Sequence, residues 1–375
     1  MLFRPAQHTL SLQSPEMDTR DPGHAAFPAD LPERIEGDCA WLAADMADNR
    51  RWCQPLTAAE VAELQAASQP WMPAERNLAD ITAAQFPLPT LGPRMAAVRH
   101  ELLRGRGFVL LRGLPVQDWG LRQSAVAFFG LGAHLGAARS QNAQGHVLGH
   151  VRDLGLDASD PRVRLYQTHE RQTFHTDSAD IVGLLCLQTA RSGGLSALVS
   201  SVSIYNQMRQ HRPDLAAVLF APVATDRRGE VPAGCKPWFE IPVFNWYESH
   251  FSAIYQRQYV DSAQRFADAP RLLPQQLEAL DLLDQLANDP RLNLHMALQR
   301  GDLQFVHNHT LLHDRTAFED DADPAKARHL LRLWLAPHDA QPLPPIFAQR
   351  YGTVQPGVRG GVTVAETTLC APLGV

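Results

Sequence analysis

The apolar pattern changes its period along the chain. "TAAEVAELQAAS" (57–68) predicts a helix, with Thr57 as N-cap and Glu60 three residues on completing a capping box. Residues 91–105 predict a second helix that stops at Gly105 and Gly107. "FVLLRGLPV" (108–116) is a continuous apolar run closed by a Gly-Leu-Pro turn, the signature of a buried strand, and 119–130 returns to a helical pattern. From about 145 to 205 the runs are short and strand-like: "HVLGHVRDL", "RLYQT", "IVGLLCLQTA" and "SALVSSVSIYNQM", with Gly193–Gly194 as a turn. "RPDLAAVLF" (212–220) and "LPQQLEALDLLDQLAND" (273–289) predict helices around an aromatic-rich stretch at 236–260. "LNLHMAL", "GDLQFVHNH" and "RHLLRLWLAP" predict further strands. Helices first, then many short strands with one insertion at about 206–290, point to a β-sandwich or jelly roll decorated with helices, not to a doubly wound sheet.

Composition narrows this picture. The 375 residues are 45% hydrophobic, enough for a sizeable core, and 20% charged, which excludes a disordered composition. A net charge of −6 lacks the basic excess of a nucleic-acid binder. The five cysteines form no C-x-x-C pair, which fits a reducing compartment. "MLFRPAQHTLSLQSPEMDTR" has no apolar core of a signal peptide, and no apolar run reaches the roughly 18 residues that span a membrane. A cytoplasmic protein without membrane or nucleic-acid partners is expected. Residues 1–56 are expected to form an N-terminal arm and wrapping segment, 57–350 a single domain and 351–375 a tail. "GLGAHLG" (130–136) is not a dinucleotide loop, because its spacing is G-x-G-x-x-x-G and it follows a helical pattern.

Three features carry candidate chemistry. "TFHTDSAD" (173–180) sets His175 and Asp177 two residues apart, which on a strand puts both on one face. "VHNHTLLHD" supplies His307, His309 and His313, and one imidazole from this group would complete two histidines and a carboxylate. That set suits non-haem Fe(II), since it leaves coordination positions open. "RHLLRLWLAP" places Arg332 inside an apolar run, where a guanidinium needs an anion, either from "DRTAFEDDADP" or from a bound carboxylate. Arg328 sits four residues earlier.

"FHTDSAD", "ARSGGLSALVSS", "GDLQFVHNHTLLHDRTAFED" and "RHLLRLWL", in this order across roughly residues 90–340, resemble the taurine dioxygenase-like (TauD/TfdA) family of Fe(II)- and 2-oxoglutarate-dependent oxygenases. The resemblance implies a double-stranded β-helix, a cupin-like jelly roll, within an α+β molecule with flanking helices and a lid-like insertion. It implies His175, Asp177 and His313 as iron ligands, with His307 and His309 as neighbours. Arg332 would bind the distal carboxylate of 2-oxoglutarate, assisted by Arg328, with Ser196 in a position where the family often has threonine. The implied reaction consumes 2-oxoglutarate and O2, releases succinate and CO2, and hydroxylates an unactivated C–H. Halogenating relatives lack the ligand carboxylate; Asp177 therefore favours hydroxylation or a related oxidation.

The substrate is expected to be a small molecule, anionic or amino-acid-like. Its candidate contacts are Gln141 and Asn142 in "ARSQNAQGH", the aromatics of 236–258, and Arg315, whose alternative is a salt bridge to Glu319 or Asp320. Homo-oligomers are common among such relatives. The rival reading is a jelly-roll ligand-binding module, non-catalytic or built on Zn or Mn, which would not need Arg332 opposite an anionic cosubstrate.

Overall fold

A computed structural model describes residues 26–158, 160, 163–362 and 367–374. Two sheets face each other. The major sheet takes the order β1 (Cys53–Pro55), β2 (Phe108–Arg112), β9 (Leu303–His307), β6 (Ile181–Gln188), β11 (His329–Ala336), β3 (Ala137–Ala138), with β4 (Leu148–Val151) also on β11. The minor sheet runs β8 (Asn293–Met296), β7 (Ser196–Ser200), β10 (Leu311–Arg315), β5 (Gln172–His175). All pairings are antiparallel except β1–β2.

Side-chain alternation along each strand sorts residues between layers. Leu331, Leu333 and Leu335 of β11 point outward into a cluster with α1 (Ala58–Ser68), α2 (Leu91–Arg104) and α3 (Val116–Ala133), while Leu330 points inward. Gly183 of β6 lies under that layer: a Cβ there would sit 2.9 Å from the Phe305 ring. Between the sheets, Phe108, Leu110, Cys186, Leu198, Val306 and Leu311 fill the sandwich. Each such buried Leu or Phe contributes roughly 1.5–3 kcal/mol.

The insertion has two tasks. Its helices α4 (Ser201–His211), α5 (Pro213–Val218) and α7 (Pro274–Ala287) cover the outer face of the minor sheet through Phe174, Val199 and Leu312. The stretch from Thr225 to Tyr259, which includes the start of α6 (Arg257–Ala263), instead forms one wall of a cleft.

Several local expectations need correction. "RLYQT" is a 3-10 turn at Leu165–Gln167, where the Arg164 N–H donates to the Gln167 side chain at 3.3 Å in place of a strand partner. "SALVSSVSIYNQM" is two elements: Ser200 Oγ accepts from Ser203 N–H at 3.0 Å and caps α4, so the strand stops there. Described segments on both sides of the central domain pack into the same body. Trp41 and Trp52 are buried against Phe108, and Arg359, fully buried, donates to both carboxylate oxygens of Asp180. Residues 1–25 of the expected arm lie outside the described residues. No helix among the described residues is long and apolar enough to cross a membrane.

Candidate active site

His313 lies on β10 directly opposite His175 on β5, their rings 4.1 Å apart between centroids. A bulge in this pairing, with Arg315 opposite Gln172, turns both Gln172 and His175 inward, and their side-chain nitrogens Nε2 meet at 2.8 Å. The strand ends at His175, so the same-face argument for Asp177 fails. Asn308 holds Asp177 instead: its Oδ1 accepts from Asp177 N–H at 2.8 Å, and its Nδ2 donates to the carbonyls of Asp177 and of Ala179. One ligand atom each from His175, Asp177 and His313 then lie within 4.8 Å of one another.

The donor atoms are prepared for a cation. His175 Nδ1–H can donate to the Thr173 carbonyl at 2.8 Å, so Nε2 carries the lone pair, which accepts from Gln172 Nε2 and lies 4.0 Å from Asp177 Oδ1. Burial holds His313 down to about 3 and also lowers His175, so both imidazoles are neutral. Burial alone would raise Asp177. Arg332, His313 and His175 nearby, with a 2.8 Å hydrogen bond from Trp334 Nε1, hold it at about 2. Two neutral imidazoles and one carboxylate with open space beside them are the donor set of a ferrous site.

Two spaces meet at this trio, sharing Tyr166, Gln172, Asp177 and Arg332. The inner cavity runs between the sheets past Ser196 and His313 to Arg315 and Arg328. Both arginines are buried, with Arg315 Nε and Arg328 Nη1 unpartnered among the described residues, and burial lowers them to about 9 and about 10. Gly194 is needed here, since a Cβ would come within 3.1 Å of Arg328 Nε. The outer cleft is walled by Arg164, Tyr166, Phe239, Tyr259, Trp334 and Arg350.

Of the expected substrate contacts, Phe239 and Tyr255 of the aromatic stretch line the outer cleft, while Gln141, Asn142 and Arg315 do not. Gln141 is buried behind Arg332: its Oε1 accepts from Arg332 Nε at 2.8 Å and its Nε2 donates to the Arg332 carbonyl at 2.8 Å. Asn142 shapes its own turn, accepting from Gln144 and His146 N–H. Arg315 pairs with neither Glu319 nor Asp320; it donates to the carbonyls of Thr168 and Glu170. Arg332 finds its anion in Asp177, at 3.3 Å, and not in the acidic loop. His309 faces away from the trio and meets Asp180 at 2.9 Å, while His307 Nδ1 meets Thr310 Oγ1 at 2.8 Å. Sequence reasoning missed Gln172, Trp334, Arg164 and Arg350, and it used Asn308 only as the marker five residues before His313, without its role in holding Asp177. Trp334 carried a signal of its own, two residues beyond Arg332 on one strand face.

The family model described as "Taurine catabolism dioxygenase TauD, TfdA family" matches residues 70–334. The chain belongs to the TauD/TfdA family. It is accordingly an Fe(II)- and 2-oxoglutarate-dependent dioxygenase that hydroxylates a small organic molecule, with O2 as second cosubstrate. It is 31% identical over 318 residues to FR-33289 synthase of Streptomyces rubellomurinus, covering 84% of this chain and 94% of that protein. It is 30% identical over 316 residues to the taurine hydroxylase-like protein SAT17 of Stachybotrys chartarum, covering 81% of this chain and 80% of that one. An asparagine oxygenase solved with Fe(II), hydroxyasparagine and succinate shares the TauD/TfdA jelly roll at a TM-score of 0.60 and 18% identity, over 76% of this chain and 93% of that chain.

Proposed function

We propose that His175, Asp177 and His313 hold Fe(II), and that 2-oxoglutarate fills the inner cavity with its distal carboxylate on Arg328, Ser196 and Arg315. Arg328, first expected to assist, thereby takes the distal carboxylate first expected on Arg332. The observation that carries this reading is the pair of buried guanidinium groups with unpartnered N–H at the deep end of the cavity beside the three ligand atoms. A buried arginine without an anion is costly, and a dicarboxylate reaching from the metal trio to Arg328 would supply one. Arg332 borders both spaces, clamped by Gln141 and stacked over Tyr166 at 4.6 Å, which suits a substrate anion better than the cosubstrate's far end.

Bound Fe(II) supplies the chemistry that couples O2 and 2-oxoglutarate to C–H oxidation. The protein's own residues do the rest. Trp334 Nε1–H and Arg332 engage Asp177 Oδ2, leaving Oδ1 directed toward His175 Nε2 at 4.0 Å. Tyr166, Phe239 and Trp334 wall the cleft with aromatic surface that limits water near the reacting carbon. Because Asp177 fills the carboxylate position, hydroxylation is favoured over halogenation. The substrate is read as a small organic anion.

The test is the visible charge-transfer band of the anaerobic Fe(II)–2-oxoglutarate complex. It is expected in the wild type and in Arg332→Ala, and expected to require far more 2-oxoglutarate in Arg328→Ala. A band that survives Arg328→Ala and fades in Arg332→Ala would restore the original assignment. No band in the wild type, with metal bound, would refute the site.

A further inference from the structure

The outer cleft holds a cation that the metal and cosubstrate do not use. Arg350 lies on α8 (Ala348–Tyr351), beyond the residues 70–334 matched by the family. Its side chain enters the cleft beside Asp177 and Ser178. Among the described residues its one side-chain hydrogen bond runs from Nε to Ser178 Oγ at 2.8 Å, and its guanidinium stands 5.9 Å from the centre of the Phe239 ring. The other cations around it are committed. Arg164 is paired with Glu230, and Asp226, the other carboxylate in the cleft wall, is taken by Arg265 and Ser262. Arg350 therefore lines the cleft with no ion pair of its own among the described residues; burial pushes it down to about 10, although the Glu230 carboxylate paired with Arg164 acts on it from nearby.

Arg332 and Arg350 thus flank two consecutive residues, Arg332 at Asp177 and Arg350 at Ser178. One planar carboxylate saturates one guanidinium fork. A tetrahedral group with three terminal oxygens and two negative charges can take two forks at once, which is why paired arginines suit phosphoryl groups. We propose that the cleft recognises its substrate through a phosphonate or phosphate-ester dianion gripped between Arg332 and Arg350, with Arg350 setting specificity. The organic part would then lie against Tyr166, Tyr259 and Trp334, within reach of the metal trio. This rests on the metal and cosubstrate reading given under Proposed function.

The experiment titrates methylphosphonate and, separately, methyl phosphate into the anaerobic Fe(II)–2-oxoglutarate complex, following the band and, in parallel, thermal stabilisation of the same protein. Saturable binding is expected, tighter than for methanesulfonate or acetate; whichever phosphorus probe binds better identifies a C–P or a C–O–P substrate. Arg350→Ala is expected to weaken binding by roughly 10- to 100-fold while the band itself still forms, and Arg350→Lys to recover part of the loss. Binding undiminished in Arg350→Ala, or methanesulfonate and acetate binding as tightly, overturns the proposal. A wild-type band that no phosphorus anion perturbs, with no thermal shift, overturns it too. Failure of the band to form refutes the cosubstrate reading instead, and the thermal shifts then still decide this one.

Discussion

The inner cavity and the outer cleft share Asp177 and Arg332 yet are built in different ways. The inner cavity is a product of strands. Ser196, His313, Arg315 and Arg332 reach it because successive residues on a strand face opposite sides, and the β-sandwich fixes which side is inward. The outer cleft is assembled from a 3-10 turn at 165–167, the 225–259 part of the insertion and α8 near the C-terminus. No single period fixes those side chains. On the proposed assignment the sandwich carries the metal and cosubstrate, and irregular segments around it carry the choice of substrate.

The comparison breaks most completely at the residue the two spaces share. Asp177→Ala is expected to abolish succinate formation, measured with any accepted substrate, because it removes the one carboxylate ligand and the partner of both Trp334 and Arg332. Undiminished turnover would sink the ligand assignment. Next comes a separation of the two spaces. Arg328→Ala should raise the 2-oxoglutarate Kd by about two to three orders of magnitude, the cost of breaking a buried charge pair. Arg332→Ala should instead lower kcat/KM for the primary substrate with little change in that Kd. Equal effects on the Kd would mean that the two spaces are one site.

A smaller effect is expected one layer back. Gln141→Leu removes the acceptor of Arg332 Nε and the donor to its carbonyl without touching either space. About a tenfold fall in kcat/KM is expected, with the charge-transfer band unchanged, since one charge-assisted hydrogen bond contributes about 1.5–3 kcal/mol. Steady-state kinetics beside the band titration checks this, and loss of the band would move Gln141 into the cosubstrate site.

Legibility in the sequence follows the same division. His175 and Asp177 with one imidazole of His307, His309 and His313 were readable as a metal set, the family resemblance pointed to His313, and the apolar run "RHLLRLWLAP" marked Arg332 as a cation in need of an anion. The position of Asp177 was foreseen for the wrong reason. The strand ends two residues short of it, and the clamp comes from Asn308, which is 131 residues away in sequence. Gln141 and Asn142 were expected to contact the substrate; the fold places one of them under Arg332 and spends the other on a turn. Arg164 and Arg350 gave no signal. An arginine in a polar loop or on a four-residue helix reads as solvated, and only tertiary packing reveals that both enter one cleft.

The smallest effect tests whether the strand that carries Arg332 can be disturbed at its far end without consequence for either space. His329 opens β11 and stacks on His150 of β4 with ring centroids 5.1 Å apart; His329 Nε2 and His150 Nδ1 lie 2.8 Å apart, and His150 Nε2 meets the Pro372 carbonyl at 2.9 Å. Burial, with His150 and Arg152 nearby, lowers His329 from 6.5 to about 4, and burial also lowers His150. A histidine held neutral in the fold binds fewer protons than in the unfolded chain. Its contribution is thus fully present above pH 6.5 and is lost as pH falls toward about 4. The wild-type Tm should fall across that window, and His329→Gln should fall less steeply there. Its 2-oxoglutarate Kd at neutral pH should match the wild type. A parallel Tm slope in the variant would remove the histidine pair as the cause, and a changed Kd would show that the inner cavity depends on the edge of its own strand.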